Sequence, residues 1–151
     1  MPHHRYSMKF EEPYASAYGR ELRISRKHAE EICRAIKGMR LQECKQFLER
    51  VIRGEVAVPF RKHKKKLGHR SGCGGAGRFP AKAAKEFLKL LQNAESNAIY
   101  KGMEVEKLRI VHACAKKGIV IPGYLPRAFA RATPFHPVSY THLTLPTILR
   151  V

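Results

Sequence analysis

The residue pattern predicts an α+β fold: three helices, short strands, an extended β-hairpin and a long basic loop inserted before the third helix. Two observations carry this. Apolar residues recur at helical spacing in three stretches and alternate in others. Two basic segments without a single acid flank a nearly neutral helical one. Residues 1–151 are expected to form one domain, with a globular core at about 17–110, the basic loop at 58–80 and the hairpin at about 111–135.

The elements follow in chain order. Tyr18, Leu22 and Ile24 share one face of an alternating stretch, which predicts an edge strand over 18–24. Ser25 stands where an N-cap would. Ala29, Ile32, Cys33 and Ile36 then mark a first helix, closed by Gly38. The stripe Leu41, Cys44, Phe47, Leu48, Val51 and Ile52 predicts a second helix, with Lys45, Glu49, Arg50 and Arg53 opposite and Gly54 as its stop. From Val58 to Pro80 the periodicity ends. Pro59, the basic run at 61–66 and the glycines at 68, 72, 74, 75 and 77 predict a loop that builds no core. Pro80 suits the first position of a third helix, with Ala84, Phe87, Leu88, Leu91, Ala94 and Ala98 buried and Gly102 at its end. Leu108, Ile110, His112 and Cys114 alternate with Arg109, Val111 and Ala113, which predicts a strand. An extended hairpin follows over 111–135; its apolar surface is too small to be stable alone.

Charge narrows the function. Thirty Lys and Arg against twelve acids leave +18. Such a chain suits a polyanion, nucleic acid first and an anionic membrane surface second. The surplus is concentrated at 58–85, which has nine basic residues, and at 109–151, which has six; neither holds an acid. All twelve acids are Glu. The missing Asp argues against an EF-hand loop and weakens any two-metal nuclease or Walker-type reading. The loop also lacks the P-loop order of Gly, Lys and Ser/Thr. Residues 1–10 do not resemble a signal peptide, and no stretch reaches the ~20 apolar residues of a membrane span. Cys33, Cys44, Cys73 and Cys114 form no C-x-x-C pair and are read as reduced thiols of a cytosolic protein.

Catalytic and metal-binding readings find little support. His63, His69 and Cys73 fit no zinc spacing and lack a fourth ligand. His112 is read as a packed histidine. Nothing in the sequence brings Glu95 and Glu104 together as an acid/base pair. No cofactor is expected. Tyr124 and Phe129 in the hairpin suit either stacking on splayed bases or packing on the hairpin's own backbone.

Several strings resemble a known family. They are Ala35-Ile36-Lys37-Gly38-Met39, Val58-Pro59-Phe60-Arg61, Gly77-Arg78-Phe79-Pro80-Ala81-Lys82-Ala83-Ala84 and Leu91-Gln92-Asn93-Ala94-Glu95-Ser96-Asn97-Ala98. Pro126-Arg127-Ala128 follows, with a Gly-like Ala130 before Arg131-Ala132-Thr133-Pro134. Together they resemble the universal large-subunit ribosomal protein number twenty-two, number seventeen in eukaryotes, in its archaeal or eukaryote-like version. The match runs from about Tyr18 to Phe135. It implies three helices on a small antiparallel sheet with a long β-hairpin. It also implies a non-enzymatic, cytoplasmic constituent of the large subunit that binds and bridges rRNA, beside neighbouring ribosomal proteins. The hairpin would line the nascent-peptide tunnel. No membrane insertion is implied. The expected RNA-binding residues are Arg61, Lys62, Lys64, Lys65, Lys66, Arg70, Arg78, Lys82, Lys116, Lys117, Arg127 and Arg131. A free-standing basic nucleic-acid-binding regulator is the alternative.

Two departures stand out. The expected hairpin tip, residues 119–125, is more apolar than the family's basic tip. Residues 137–147 resemble the translated end of a transposase-type sequencing adapter, so 137–151 are expected to be non-native. The acids expected near the end are missing, and Pro146 cannot donate to a central ladder. The alternative is a genuine strand, since Val138, Tyr140 and His142 alternate with Ser139, Thr141 and Leu143.

Overall fold

The computed structural model describes residues 13–120, 122–135 and 139–148. The polar N-terminal stretch, Ile121 in the expected hairpin tip, Val138 and the last three residues lie outside the described residues. In chain order the elements are β1 (Tyr14–Leu22), α1 (Arg26–Ile36), α2 (Leu41–Arg53), β2 (Val58–Pro59), β3 (His69–Arg70), β4 (Gly75–Arg78), α3 (Ala81–Tyr100), β5 (Cys114–Val120), β6 (Gly123–Pro126), β7 (Ala132–Phe135) and β8 (Ser139–Ile148). The strands pair as β1-β8-β5, β2-β4-β3 and β6-β7, all antiparallel. The predicted α+β class, three helices with small antiparallel sheets, is the observed one.

The helices form for the expected reasons. Ala29, Ile32, Cys33 and Ile36 of α1 and Leu41, Cys44, Leu48 and Val51 of α2 are buried at helical spacing. Gly54 ends α2 at a φ of 81°, a left-handed cap that favours glycine. Ser25 precedes α1 without a side-chain cap bond. Pro80 stands one residue ahead of α3. On α3, Ala83, Ala84, Phe87, Leu90, Leu91, Ala94 and Ala98 are buried. Leu90 takes the place expected of Leu88, which only packs on the rim of the core. Lys45 of α2 and Glu95 of α3 meet at 2.6 Å, half-buried, so Glu95 is an interhelical tie. Glu104 pairs separately with Lys107.

Four expectations about strands and loops are corrected. First, β1 starts earlier, at Tyr14, and its buried residues are Ala15, Ala17 and Gly19, while Tyr18 is half-buried and Leu22 packs on the rim of the core. Small residues are needed there because α3 lies close. A Cβ on Gly19 would sit 3.1 Å from the Leu90 methyls, and Asn97 and Lys101 donate to the Ser16 and Tyr14 carbonyls. A bulge with Glu21 at φ 54° then turns the strand end, and Ile24 is buried.

Second, the stretch at 108–113 is extended but is not a sheet strand. Leu108 and Ile110 are fully buried. Their backbone pairs with the α1–α2 link instead: Gly38 N–H donates to Ile110 O, Ile110 N–H to Met39 O, and Leu41 N–H to Leu108 O. The expected alternation holds through the exposed Val111 and then slips, so that Ala113 is buried.

Third, the 58–80 insertion contributes to the core. Val58 is fully buried and Phe60 is 4% exposed, and the β2-β4-β3 sheet holds them there. Glycine at 77 lets the strands close up: a Cβ would stand 2.8 Å from Cys73 Sγ and 3.2 Å from Arg70 Cβ. Fourth, the chain reverses at 127–131, not at 119–125. Gly123↔Phe135 through Pro126↔Ala132 pair across that turn, so its tip is basic.

β8 is the middle strand of the largest sheet. It pairs with β1 from Tyr14↔Ile148 to Leu22↔Thr141, and with β5 from Cys114↔Thr144 to Val120↔Ser139. Pro146 pairs with Ser16 of β1, past the end of β5. It therefore occupies a position with one neighbour, where a missing N–H interrupts no second ladder.

The core makes a direct prediction. Leu91 is fully buried, so Leu91→Ala should lower the unfolding free energy by about 2–5 kcal/mol. Arg127→Ala, in an exposed turn, should change it by less than about 0.5 kcal/mol. Chemical denaturation of the two variants checks both.

Candidate nucleic-acid interface

The interface is built from the basic insertion outward. Arg61, Lys62, Lys64, Lys65 and Lys66 leave the end of β2 and are all exposed. What holds them is an acid. Glu31 of α1 is 1% exposed. Its carboxylate accepts the backbone N–H groups of Arg61, Lys62 and His63 at 3.1, 2.8 and 2.9 Å. Arg34 donates to it at 3.0 Å. Burial by itself would raise this carboxyl, but the His63, Arg61 and Lys62 amides and the Arg34 charge outweigh it and hold it below its ordinary 4.5.

Glu30, next along α1, faces outward and works on side chains. His63 Nε2 lies 2.8 Å from it, Arg26 Nε 3.3 Å and Lys62 Nζ 3.4 Å. Partial burial opposes ionisation there, and the bond from His63 and the Lys62 and Arg26 charges overcome it, so its pKa too lies below the ordinary value. His63, His69 and Cys73 thus go separate ways. His63 is engaged with Glu30, His69 is exposed, and the Cys73 thiol donates to Ala57 O at 3.2 Å.

The small β2-β4-β3 sheet extends the basic surface. Arg70 on β3 stands 5.6 Å over the Phe79 ring. Arg78 on β4 and Lys82 at the start of α3 are exposed. Arg78 is near enough to His28 to depress its pKa, after the larger effect of burial. His28 in turn meets Phe60 edge-on, with ring centroids 5.5 Å apart. The structure therefore gathers eight of the twelve expected residues on and around the insertion.

The other four lie elsewhere. Lys116 and Lys117 are exposed on β5, registered with His142 and Thr141 of β8. Beside them His112 is half-buried; burial first, then the Lys37 and Lys116 charges, lower its pKa. Arg127 and Arg131 face each other across the hairpin turn, where Arg127 N–H donates to Arg131 O at 2.7 Å. Tyr124 is 67% and Phe129 92% exposed, so most of each ring faces solvent. Phe129 and Ala130 carry φ of 59° and 51°, a conformation that costs side-chain-bearing residues about 1–2 kcal/mol each. The thiols of Cys33 and Cys44 sit in the core, and burial raises both pKa values, that of Cys44 to about 12.

Sequence reasoning missed the acid that organises the patch. Glu31 falls off the apolar stripe of α1, and three of its four partners are backbone amides, which carry no residue-type signature; only Arg34, three residues on, is a side chain.

The ribosomal protein L22p/L17e family model matches residues 17–146. The chain belongs to this family. A large ribosomal subunit protein uL22 of Methanopyrus kandleri is 58% identical over 136 residues, covering 88% of this chain and 85% of the relative. The Methanosphaera stadtmanae protein of the same name is 48% identical over 143 residues, 93% of each chain. That of Methanocaldococcus jannaschii is 58% identical over 125 residues, 82% and 80%. The L22p/L17e match extends beyond Phe135, the expected end of the resemblance, and takes in most of β8.

Two predictions follow from the L22p/L17e geometry. Because the Glu31 carboxyl is depressed in the fold, its contribution is present above pH 4.5 and is lost as pH falls through the folded value. Glu31→Gln leaves buried amides without full acceptors and should cost about 1–3 kcal/mol near neutrality. The difference from the unmodified chain should shrink below pH 4.5, and the Lys62 and His63 amides should exchange faster by hydrogen-exchange NMR. Separately, Ala130→Gly should relieve the turn by about 1 kcal/mol, slowing exchange of the Arg127 amide about fivefold.

Proposed function

We propose that the chain is a structural, non-enzymatic constituent of the large ribosomal subunit that binds and bridges rRNA through its basic insertion, β5 and hairpin turn. The carrying observation is the patch itself: exposed Lys and Arg, free of acids in sequence, on a backbone held in place by a buried carboxylate. Family membership and relatives named as large-subunit proteins support the same reading. Arg61, Lys62, Lys64, Lys65, Lys66, Arg70, Arg78, Lys82, Lys116, Lys117, Arg127 and Arg131 neutralise phosphates and release counterions. Glycines at 72, 74 and 75 let the loop backbone approach the RNA. Helical rRNA is read by shape more than by base edges.

The hairpin reaches into the RNA and lines the path of the nascent peptide. Its exposure fits a segment that packs on a partner rather than on its own domain. Neighbouring ribosomal proteins complete the surroundings, and the site of action is the cytoplasmic ribosome. Among the described residues no helix is long and apolar enough to cross a membrane.

Residues 137–151 are proposed to be translated adapter, of which Ser139–Ile148 take the place of the natural last strand. Main-chain pairing tolerates such a replacement, since β8 is held by ladders to β1 and β5. Independent genomic reads that continue through Phe135 into the same tail would end that idea.

Replacing Arg61, Lys62, Lys64, Lys65 and Lys66 together with Gln should weaken binding to large-subunit rRNA and flatten its salt dependence. Each lost duplex phosphate contact removes roughly 0.9 from the slope of log K against log salt. The unmodified chain should co-sediment with large subunits through a salt wash. A chain left in the supernatant while still binding nucleic acid would favour the free-standing regulator.

A further inference from the structure

Between the first turn of α1 and the 62–67 segment lies a cavity of about 300 Å³. Its apolar lining is Phe60, 4% exposed, and the half-buried Leu67. Lys27, Lys62, Lys65 and Arg78 stand around it. Lys62 is already committed to Glu30. Among the described residues no acid forms an ion pair with Lys27, Lys65 or Arg78. The first turn of α1 adds Arg26 and Lys27 without an acid, so its amide end favours an anion.

A phosphate alone needs cations but no apolar lining. A stacked duplex offers phosphates but no exposed ring face. Cations around an apolar lining suit a ligand with a flat ring and an anion a few ångströms apart, and that is one nucleotide taken out of its stack. The volume, at the low end of small-ligand pockets, admits one nucleotide rather than several. The wall is also set in advance: the Glu31 clamp fixes the backbone at 61–63, so little ordering is required on binding.

We propose that this cavity receives a single unstacked nucleotide of the bound RNA, its ring against Phe60 and Leu67 and its phosphate against Lys27, Lys65 and Arg78. This rests on the RNA-binding reading above and adds to it one position where the RNA must be irregular.

The full chain is titrated with a short RNA duplex carrying a single-adenosine bulge, and with the same duplex lacking it. The bulged duplex should bind at least about fivefold tighter. Leu67→Trp fills the cavity without changing charge. It should bring the ratio to about one and leave the salt slope on the plain duplex unchanged. If that variant melts early, Arg78→Gln decides, because it removes a rim cation from an exposed site and should also lower the ratio. A ratio of about one for the unmodified chain overturns the proposal. So does a ratio kept by folded Leu67→Trp, or by Arg78→Gln where that variant decides. Loss of binding to both duplexes would instead overturn the RNA-binding reading, and this inference with it.

Discussion

A single buried carboxylate sets the geometry of the basic surface. The 61–66 run concentrates like charge on consecutive residues, which alone would keep the segment extended and mobile. Glu31 removes that freedom by accepting three successive backbone amides. A buried, unpaired carboxylate would be expensive. This one is matched by three N–H donors and a guanidinium, so ionisation is favoured and the clamp is charge-assisted. Because the clamp uses backbone groups, it leaves the side chains of Arg61 and Lys62 outside, facing solvent. Glu30 divides the work with it, steadying Lys62, His63 and Arg26 by their side chains.

The second constraint is topological. β1 and β5 are each antiparallel to β8, hence parallel to one another and one strand apart. Something extended must lie between them, or both strands lose their ladders. Backbone hydrogen bonds ask little of side-chain identity, so the slot accepts a segment rich in strand-forming Tyr, Thr and Ile, with Pro146 placed where only β1 is opposite. That is why a tail resembling adapter sequence and a family match reaching residue 146 are compatible with the same middle strand.

Rigid and free parts divide the charge between them. The insertion is fastened at both ends, by Glu31 and by the β2-β4-β3 sheet over Val58 and Phe60. The β6-β7 hairpin is not fastened in this way. Its residues are mostly exposed, its turn holds two side-chain-bearing residues in the left-handed region, and its two arginines flank that turn. An insertion with a fixed shape suits a defined RNA surface. A thin ribbon with little apolar area acquires its stability from what it lies against.

Much of this was legible in the amino-acid sequence. The three helices, their apolar faces, the glycine stop after α2 and the acid-free basic blocks follow from 3.6-residue periodicity, cap chemistry and charge counting, all local properties. Family resemblance added the order of elements and the class of partner. The buried face of β1 was not legible because alanine and glycine mark a close approach only once α3 is in place. The 108–113 stretch alternates like a strand, yet its backbone partners lie some seventy residues earlier in the α1–α2 link. The insertion looked coreless because Val58 and Phe60 are too few to form a pattern, although the fold buries both. What the sequence alone determined was which residues are basic, apolar or turn-forming, since those are properties of the side chain. Tertiary structure alone decided that Glu31 meets three backbone amides thirty residues away, and that Lys27 and Arg78 surround one cavity. Such contacts depend on distances through space, and main-chain donors look the same at every position in the sequence.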